Sequence, residues 1–334
     1  MHHDLYTTYF LIFVDEQWAF LKNKETGHLN FLSFDQCQAS HNKPSIESFL
    51  NRTFQDRIHH WIPLNFQPTS LFPELNQSTI CYVELKDLPE SQRNNFEFFS
   101  SLADITEGLL SHKSEALLKQ SSLKTQLIQK TRPYKQIIWD WNGTLIDDVE
   151  VALLSMKTLL SDHNLPDLCV DRYRDVFGFP IQKYYEKLGF DFDSICFNSL
   201  CYRFHEEYDK NRLKVGKLFA DVIPHLDLFS KTKKQSILSA GAQWHLDEWV
   251  QHYNIKHFFE YIYGISDHFA GSKIDRGREL ITHSKYDPSD TILIGDTDHD
   301  VEVGAELGVD VLLIANGHQS FERLQQLHDN VIER

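Results

Sequence analysis

The sequence predicts an α/β protein, an open parallel sheet carrying an inserted α-helical cap, preceded by a smaller α+β domain. Three observations carry this expectation. Short apolar strands recur at Ile137-Ile138-Trp139, Gln235-Ser236-Ile237-Leu238 and Thr291-Ile292-Leu293-Ile294, followed by Asp140, Ser239 and Gly295-Asp296, and helical periodicity follows the last two. Between Asp148 and Lys233 the pattern is almost wholly helical. Residues 1 to about 105 are instead strand-rich. At 334 residues the chain accommodates two domains, expected at 1–130 and 134–334.

In the first domain, Tyr9 to Val14, Trp18 to Leu21 and Thr79 to Leu85 favour strands, separated by turn-like segments such as Asn42-Lys43-Pro44-Ser45. From Asp104 to Lys130 the sequence turns helical, with Leu110, Leu117, Leu118, Leu123 and Leu127 spaced by polar residues. Thr131-Arg132-Pro133 closes that stretch, because a proline disfavours helix in the residue before it. Beyond it the core is expected at 134–148 and 234–334, and the cap at about 149–233, opening with Val149, Leu153, Met156 and Leu160. Leu246, Trp249, Val250 and Tyr253 fall on one face of a helix that covers the sheet. Val301 and Ala305 repeat that logic, and Gly308 is placed to end their helix in a left-handed cap.

Composition narrows the function. A formal charge of -15 argues against nucleic acid as partner, since a phosphate backbone needs a basic surface. The apolar run Tyr9 to Val14 is bracketed by Asp4 and Asp15 and is far too short to span a bilayer, so no membrane segment is expected. Cys37, Cys81, Cys169, Cys196 and Cys201 are odd in number and lack C-x-x-C spacing, which fits a reducing cytoplasm rather than a disulfide framework or zinc site. The 18 histidines show no ligand spacing on one helix face.

Asp140 ends an apolar strand and is followed by Trp141-Asn142-Gly143-Thr144-Leu145. Reactive groups of open parallel sheets collect outside the carboxyl ends of the strands, where free backbone N–H groups can hold an anion, so Asp140 is a candidate nucleophile. Downstream come Ser239, then Lys273, then Gly295-Asp296-Thr297-Asp298-His299-Asp300. A carboxylate approaches a phosphate dianion only with a cation between them, and Asp296 and Asp300 offer the hard oxygen ligands that Mg²⁺ prefers.

These four elements, in this order, resemble the motifs of the haloacid dehalogenase superfamily, over roughly residues 134 to 334 and closest to its phosphoglycolate-phosphatase-like branch. The resemblance implies a Rossmann-like core and a Mg²⁺-dependent phosphatase acting on a small phosphorylated metabolite through an aspartyl phosphate. It further implies that Asp140, the backbone carbonyl of Asn142 and Asp296 hold the metal, with Asp300 supporting them. Lys273 would neutralise nucleophile and phosphate, Ser239 would donate to a phosphate oxygen, and Gly143 and Thr144 would complete the turn facing the anion. The missing Schiff-base lysine argues against a phosphonatase, and the Asp296–Asp300 pair against a metal-free dehalogenase.

One position departs from the superfamily pattern, which has an aspartate where this chain has Asn142. That aspartate is implied to protonate the leaving group and later activate water, work worth roughly 10² to 10⁴ in rate. An amide cannot exchange a proton that way. The alternatives are a slow phosphatase, one that recruits another donor such as His299, or a regulatory protein that binds a phosphorylated ligand without turnover.

In the cap, Arg172, Arg174, Lys183 and Lys187, interleaved with Tyr173, Phe177, Phe179, Tyr184 and Tyr185, are candidates for recognising an acidic small molecule. In the first domain, Ser45 to Leu50 followed by Arg52-Thr53-Phe54-Gln55-Asp56-Arg57 distantly resembles the helix of a Nudix domain, with Phe98-Phe99-Ser100-Ser101-Leu102-Ala103 near its end. Thr53, Asp56 and Arg57 stand where that resemblance calls for glutamates, so no Nudix catalysis is expected. The alternative role for this domain is self-association as a homodimer or binding of a protein partner.

Overall fold

The computed structural model describes residues 5–14, 17–22, 29–30, 32–37, 43–54, 57–64, 78–85, 93, 96–99, 123–265 and 273–334. The chain divides into two compact units, Met1–Gln126 and Leu127–Arg334. Among the described residues no helix is long and apolar enough to cross a membrane.

The first unit contains β1 (Leu5–Val14), β2 (Gln17–Lys22), β3 (Leu29–Asn30), β4 (Leu32–Cys37), α1 (Lys43–Phe54), β5 (Ile58–Leu64), β6 (Ser78–Leu85) and β7 (Phe96–Phe99). The strands form a mixed sheet ordered β3-β2-β1-β6-β5, with β4 also on β1 and β7 on β2. β1 runs parallel to β6 from Thr7↔Ser78 to Val14↔Leu85 and antiparallel to β2 and β4. Period-two burial places Phe10 and Ile12 on one face. There they cluster with Leu50 and Phe54 of α1, and Phe10 stacks on Phe49 at 5.2 Å. The predicted helix from Asp104 falls partly outside the described residues; 123–131 are helical.

The second unit is built on six parallel strands ordered β12-β11-β8-β13-β14-β15, where β8 is Gln136–Trp139, β11 Lys234–Ala242, β12 Tyr261–Ile265, β13 Thr291–Gly295, β14 Asp310–Ala315 and β15 Val331–Glu333. β8 and β13 are buried along their whole length, as continuous apolar runs in a parallel sheet require. β8 lies between β11 and β13, so strand order reverses around it and a crevice opens at its carboxyl end.

Leaving that end, the chain forms β9 (Ile146–Asp147) and then the helices α2 (Val149–Asp162), α3 (Val170–Val176), α4 (Ile181–Leu188) and α5 (Phe197–Val215). β10 (Lys217–Leu218) returns antiparallel to β9 and ties the two ends of the insertion together. The insertion has its own core, in which Val149, Met156 and Leu160 of α2 meet Tyr173, Tyr184 and Leu188. α6 (Val222–Ser230) packs on β11, where Gln235 Nε2 donates to Leu226 O at 2.9 Å. α7 (Gln243–His252) buries Leu246, Trp249 and Val250, the face expected from their spacing. After α8 (Lys273–Ser284) and α9 (Asp298–Leu307), Gly308 ends α9 at φ 68°, the left-handed cap that spacing had indicated. α10 (Phe321–Gln325) precedes β15.

Candidate active site

Asp140 leaves β8 with its N–H held by Ile294 O of β13 at 2.8 Å, which fixes its backbone against the neighbouring strand. Asp296 leaves β13 itself and is wholly buried. Asp300 lies one helical turn on, where its Oδ2 accepts from the Thr297 N–H at 3.0 Å and the Thr297 hydroxyl at 2.8 Å, so it caps the start of α9. Its other oxygen faces inward. Lys273, at the first position of α8 and 2% exposed, reaches both Asp300 Oδ1 at 2.7 Å and Asp140 Oδ1 at 2.6 Å.

Oxygens of Asp140, Asp296 and Asp300 lie within 4.8 Å of one another. Burial pushes the Asp140 carboxyl up to about 8, opposed by Lys273 and reinforced by the two neighbouring carboxylates. Asp296 is raised to about 6, again first by burial. Burial also acts on Asp300, but Lys273 and Thr297 hold it below the usual carboxylate range. Lys273 is raised despite its burial, because two carboxylates face it. A divalent cation among these oxygens would offset the repulsion that raises Asp140, and a hard, all-oxygen set suits Mg²⁺.

The turn after Asp140 is packed against a second loop. Gly143 adopts φ 73°, and a Cβ there would lie 2.1 Å from Asp296 Oδ2. Thr144 Oγ1 donates to Asp296 Oδ1 at 3.2 Å, and the His318 N–H donates to Asp296 Oδ2 at 2.6 Å. Ser239, 1% exposed, lies in β11 beside this turn and accepts from the Gly241 N–H at 2.9 Å. Asp140, Asn142, Ser239 and Lys273 all line one cavity of about 580 Å³.

Asp148 completes the site. It stands at the N-terminus of α2, where an aspartate ordinarily caps the helix, yet its side chain makes no cap bond. Instead Oδ1 accepts from the Gly143 N–H at 3.1 Å and lies 3.2 Å from His318 Nε2. Oδ2 accepts from Asn142 Nδ2 at 2.8 Å and from the Tyr208 hydroxyl at 2.7 Å. Burial would raise this carboxyl, but His318, Tyr208 and Asn142 hold it below its ordinary value. Burial works against a charged His318 too, and Asp148 foremost overcomes it, raising the imidazole to about 9. Its Nδ1 meets the Tyr173 hydroxyl at 2.7 Å.

The structure thus brings together Asp140, Asn142, Gly143, Thr144, Ser239, Lys273, Asp296 and Asp300. Arg172 and Lys183 are instead solvent-exposed on the cap, and Arg174 donates to the carbonyls of Gly317 and Asn316 at 3.0 and 2.6 Å. None of the three lines the cavity. Sequence reasoning missed Asp148 and His318. The signal for His318 was its place just past Asn316-Gly317, at the carboxyl end of β14 and therefore on the reactive edge. His299 also lines the cavity, with Phe179 over its ring at 4.5 Å.

Comparisons with known proteins agree with this architecture. The chain is 24% identical over 198 residues to the tyrosine-protein kinase PtkA of Mycobacterium tuberculosis, covering 59% of this chain and 67% of that one. Its fold is similar to that of a haloacid dehalogenase-like family hydrolase from Streptococcus pneumoniae, at TM-score 0.53 and 22% identity, covering 61% of this chain and 95% of that one. A haloacid dehalogenase-like protein of unknown function from Agrobacterium tumefaciens matches at TM-score 0.50 and 20% identity, with 60% and 93% covered. The family model for haloacid dehalogenase-like hydrolases spans residues 137–314, taking in both core segments and the cap, and the chain belongs to that family.

Proposed function

We propose that the protein is a Mg²⁺-dependent phosphatase that hydrolyses a small-molecule phosphate monoester. The observation that carries this reading is the buried carboxylate set of Asp140, Asp296 and Asp300, with the Lys273 ammonium 2.6 Å from Asp140. Asp140, the Asn142 carbonyl and Asp296 would hold the metal, with Asp300 anchoring Lys273 beside them; bound Mg²⁺ supplies positive charge to the phosphate oxygens.

An Asp140 oxygen attacks phosphorus as the ester P–O bond breaks, giving an aspartyl phosphate and the free alcohol. Water then cleaves the acyl phosphate, releasing phosphate and restoring Asp140. Ser239 and the Gly143–Thr144 turn hold the phosphoryl oxygens, and Lys273 offsets charge on nucleophile and substrate. Asn142 orients the leaving group without exchanging a proton, and His299 on the cavity wall is our candidate donor to the alcohol. The relative named a tyrosine-protein kinase supports a site that handles phosphoryl groups.

Phosphate release with Mg²⁺ from a panel of small esters tests the reading. Release that Asp140→Asn eliminates supports it. Thermal stabilisation by phosphate without release from any ester supports the second reading, a regulatory binding protein favoured by the amide at Asn142.

For the first unit we propose an accessory role in self-association or partner binding. Its mixed sheet with α1 is compatible with the distant Nudix resemblance, of which Gln55, Asp56 and Ser100 to Ala103 lie outside the described residues. The cysteine pattern supports a cytoplasmic setting.

A further inference from the structure

The cavity above the carboxylates has a lining that contradicts the acidic metabolite suggested by the cap's charges. Its cap wall includes Tyr173, Phe177, Phe179, Tyr185, Phe204 and Tyr208, and Trp141 and Trp249 contribute from the core side. The rings brace one another, with Tyr173–Phe177 stacked at 5.2 Å and Phe204–Tyr208 stacked at 6.0 Å. Among the described lining residues Lys273 is the single lysine or arginine, and it is committed to Asp140 and Asp300. Three of the lining histidines also face acids: His245 lies against Asp209, His299 against Glu302 and His318 against Asp148.

A carboxylate on the leaving group would therefore lose its water against aromatic walls with no uncommitted lysine or arginine among the described lining residues to meet it, and Glu302 on the same lining would repel it. Size points the same way. About 580 Å³ falls within the roughly 300–1,000 Å³ range of pockets that enclose drug-sized ligands, far beyond a two-carbon acid. Besides His245, which faces Asp209, three lining side chains carry buried polar atoms without a hydrogen-bond partner, Trp141 Nε1, Tyr184 Oη and His299 Nε2. Such atoms are costly to bury unpaired, so an occupant should bring hydrogen-bonding groups as well as a flat apolar face.

We infer that the phosphate monoester this site takes has an uncharged leaving alcohol that bears an aromatic ring, seated between the cap rings and the Trp141 side of the core. This rests on the phosphatase reading for turnover but not for binding. The ring could belong to a phenol or to a nucleoside, and the test separates them.

Full-length Asp140→Asn, which cannot form the covalent intermediate, is titrated calorimetrically with 1-naphthyl phosphate, adenosine 5′-monophosphate and 2-phosphoglycolate in Mg²⁺. In parallel, kcat/KM is measured for the wild type on all three. The expected result is at least about tenfold tighter binding of one aromatic ester than of 2-phosphoglycolate, with a negative heat-capacity change. Phe179→Leu and Phe204→Leu, which keep apolar bulk but remove a ring, should each weaken aromatic-ester binding by roughly two- to tenfold and 2-phosphoglycolate less. Preference for 1-naphthyl phosphate assigns a phenol, and preference for the nucleotide a nucleoside.

Equal or tighter binding of 2-phosphoglycolate overturns the inference. So does an equal loss for all three ligands in the ring variants, which would make the rings structural only, or no binding of either aromatic ester. Aromatic binding with no phosphate release from any ester sustains the inference and removes the phosphatase reading instead.

Discussion

The side-chain amide of Asn142 donates to Asp148 Oδ2 at 2.8 Å, so the turn after Asp140 is tied to a carboxylate six positions on. An aspartate at 142 would place two carboxylates in contact where one amide donor now sits, and one of the pair would be forced to keep a proton. Asn142→Asp should therefore cost about 1–3 kcal/mol of stability at neutral pH, read by urea denaturation. Asp148→Asn in the same chain should recover most of it. Independent, additive losses in the double-mutant cycle would show that the two positions do not communicate.

Lys273 is the sole described cation in contact with Asp140, and it spans Asp140 and Asp300 in a buried setting. Lys273→Met leaves both carboxylates without their partner, a change expected to cost roughly 3–5 kcal/mol. Phosphate release should vanish as well. Millimolar Mg²⁺ should return part of the lost stability, because a cation among the same oxygens opposes the same repulsion. Denaturation midpoints with and without Mg²⁺ measure this.

Gly143 combines φ 73° with a backbone so close to Asp296 that no Cβ fits. Gly143→Ala should lower the melting temperature by several degrees, from about 1–3 kcal/mol of strain and clash. It should also abolish stabilisation by Mg²⁺, since relief of the clash displaces Asp296. A variant with the wild-type Mg²⁺ response would show that the turn and Asp296 move independently.

Stability should fall as pH rises through neutrality. His318 titrates near 9 in the fold against 6.5 unfolded, so its contribution is complete below about 6.5 and is lost as pH climbs through 9. Asp140, raised to about 8 from 3.8, changes stability in the same direction across its own range. His318→Gln should flatten the curve between pH 6.5 and 9, and Mg²⁺ should flatten the part due to Asp140. Unfolding free energies at a series of pH values, with and without Mg²⁺, separate the two.

Arg174 holds carbonyls of the Asn316–Gly317 loop, and Arg323 from α10 donates to the carbonyls of Arg174, Asp175 and Phe177 and pairs with Asp298 at 2.6 Å. These bonds dock the cap on the core. Arg174→Ala should raise KM by a similar factor for acidic and neutral esters. Arg174→Lys should not restore it, because one ammonium cannot reproduce the guanidinium fork. A loss confined to acidic esters would return Arg174 to substrate recognition.

Much of this architecture was legible from one dimension because it rests on local pattern. Ile137 to Trp139 and Thr291 to Ile294 are uninterrupted apolar runs, which only a strand buried on both faces accommodates. The turn glycine at 143 and the residues at the ends of those runs place Asp140 and Asp296 on the reactive edge by local pattern alone. The face of α7 and the glycine that ends α9 followed from helical spacing in the same way.

Charge and burial in the cap were not legible, because a helix presents different residues to solvent, core and cavity, and spacing does not say which neighbour each face meets. Arg172, Arg174 and Lys183 read as a binding surface in sequence, whereas in three dimensions two face solvent and one clasps a loop, leaving the rings to line the cavity. Asp148 read as a helix start, and His318 as one of many histidines. The turn from Trp141 to Ile146 brings Asp148 to Asn142, and only the packing of the sheet with the cap folded over it brings His318 from 170 residues away. The sequence by itself determined the sheet, the cap and the carboxylates at the strand ends, because those depend on periodicity and local turns. The tertiary structure decided what surrounds them, because desolvation, ion pairing and cavity shape depend on contacts between distant segments.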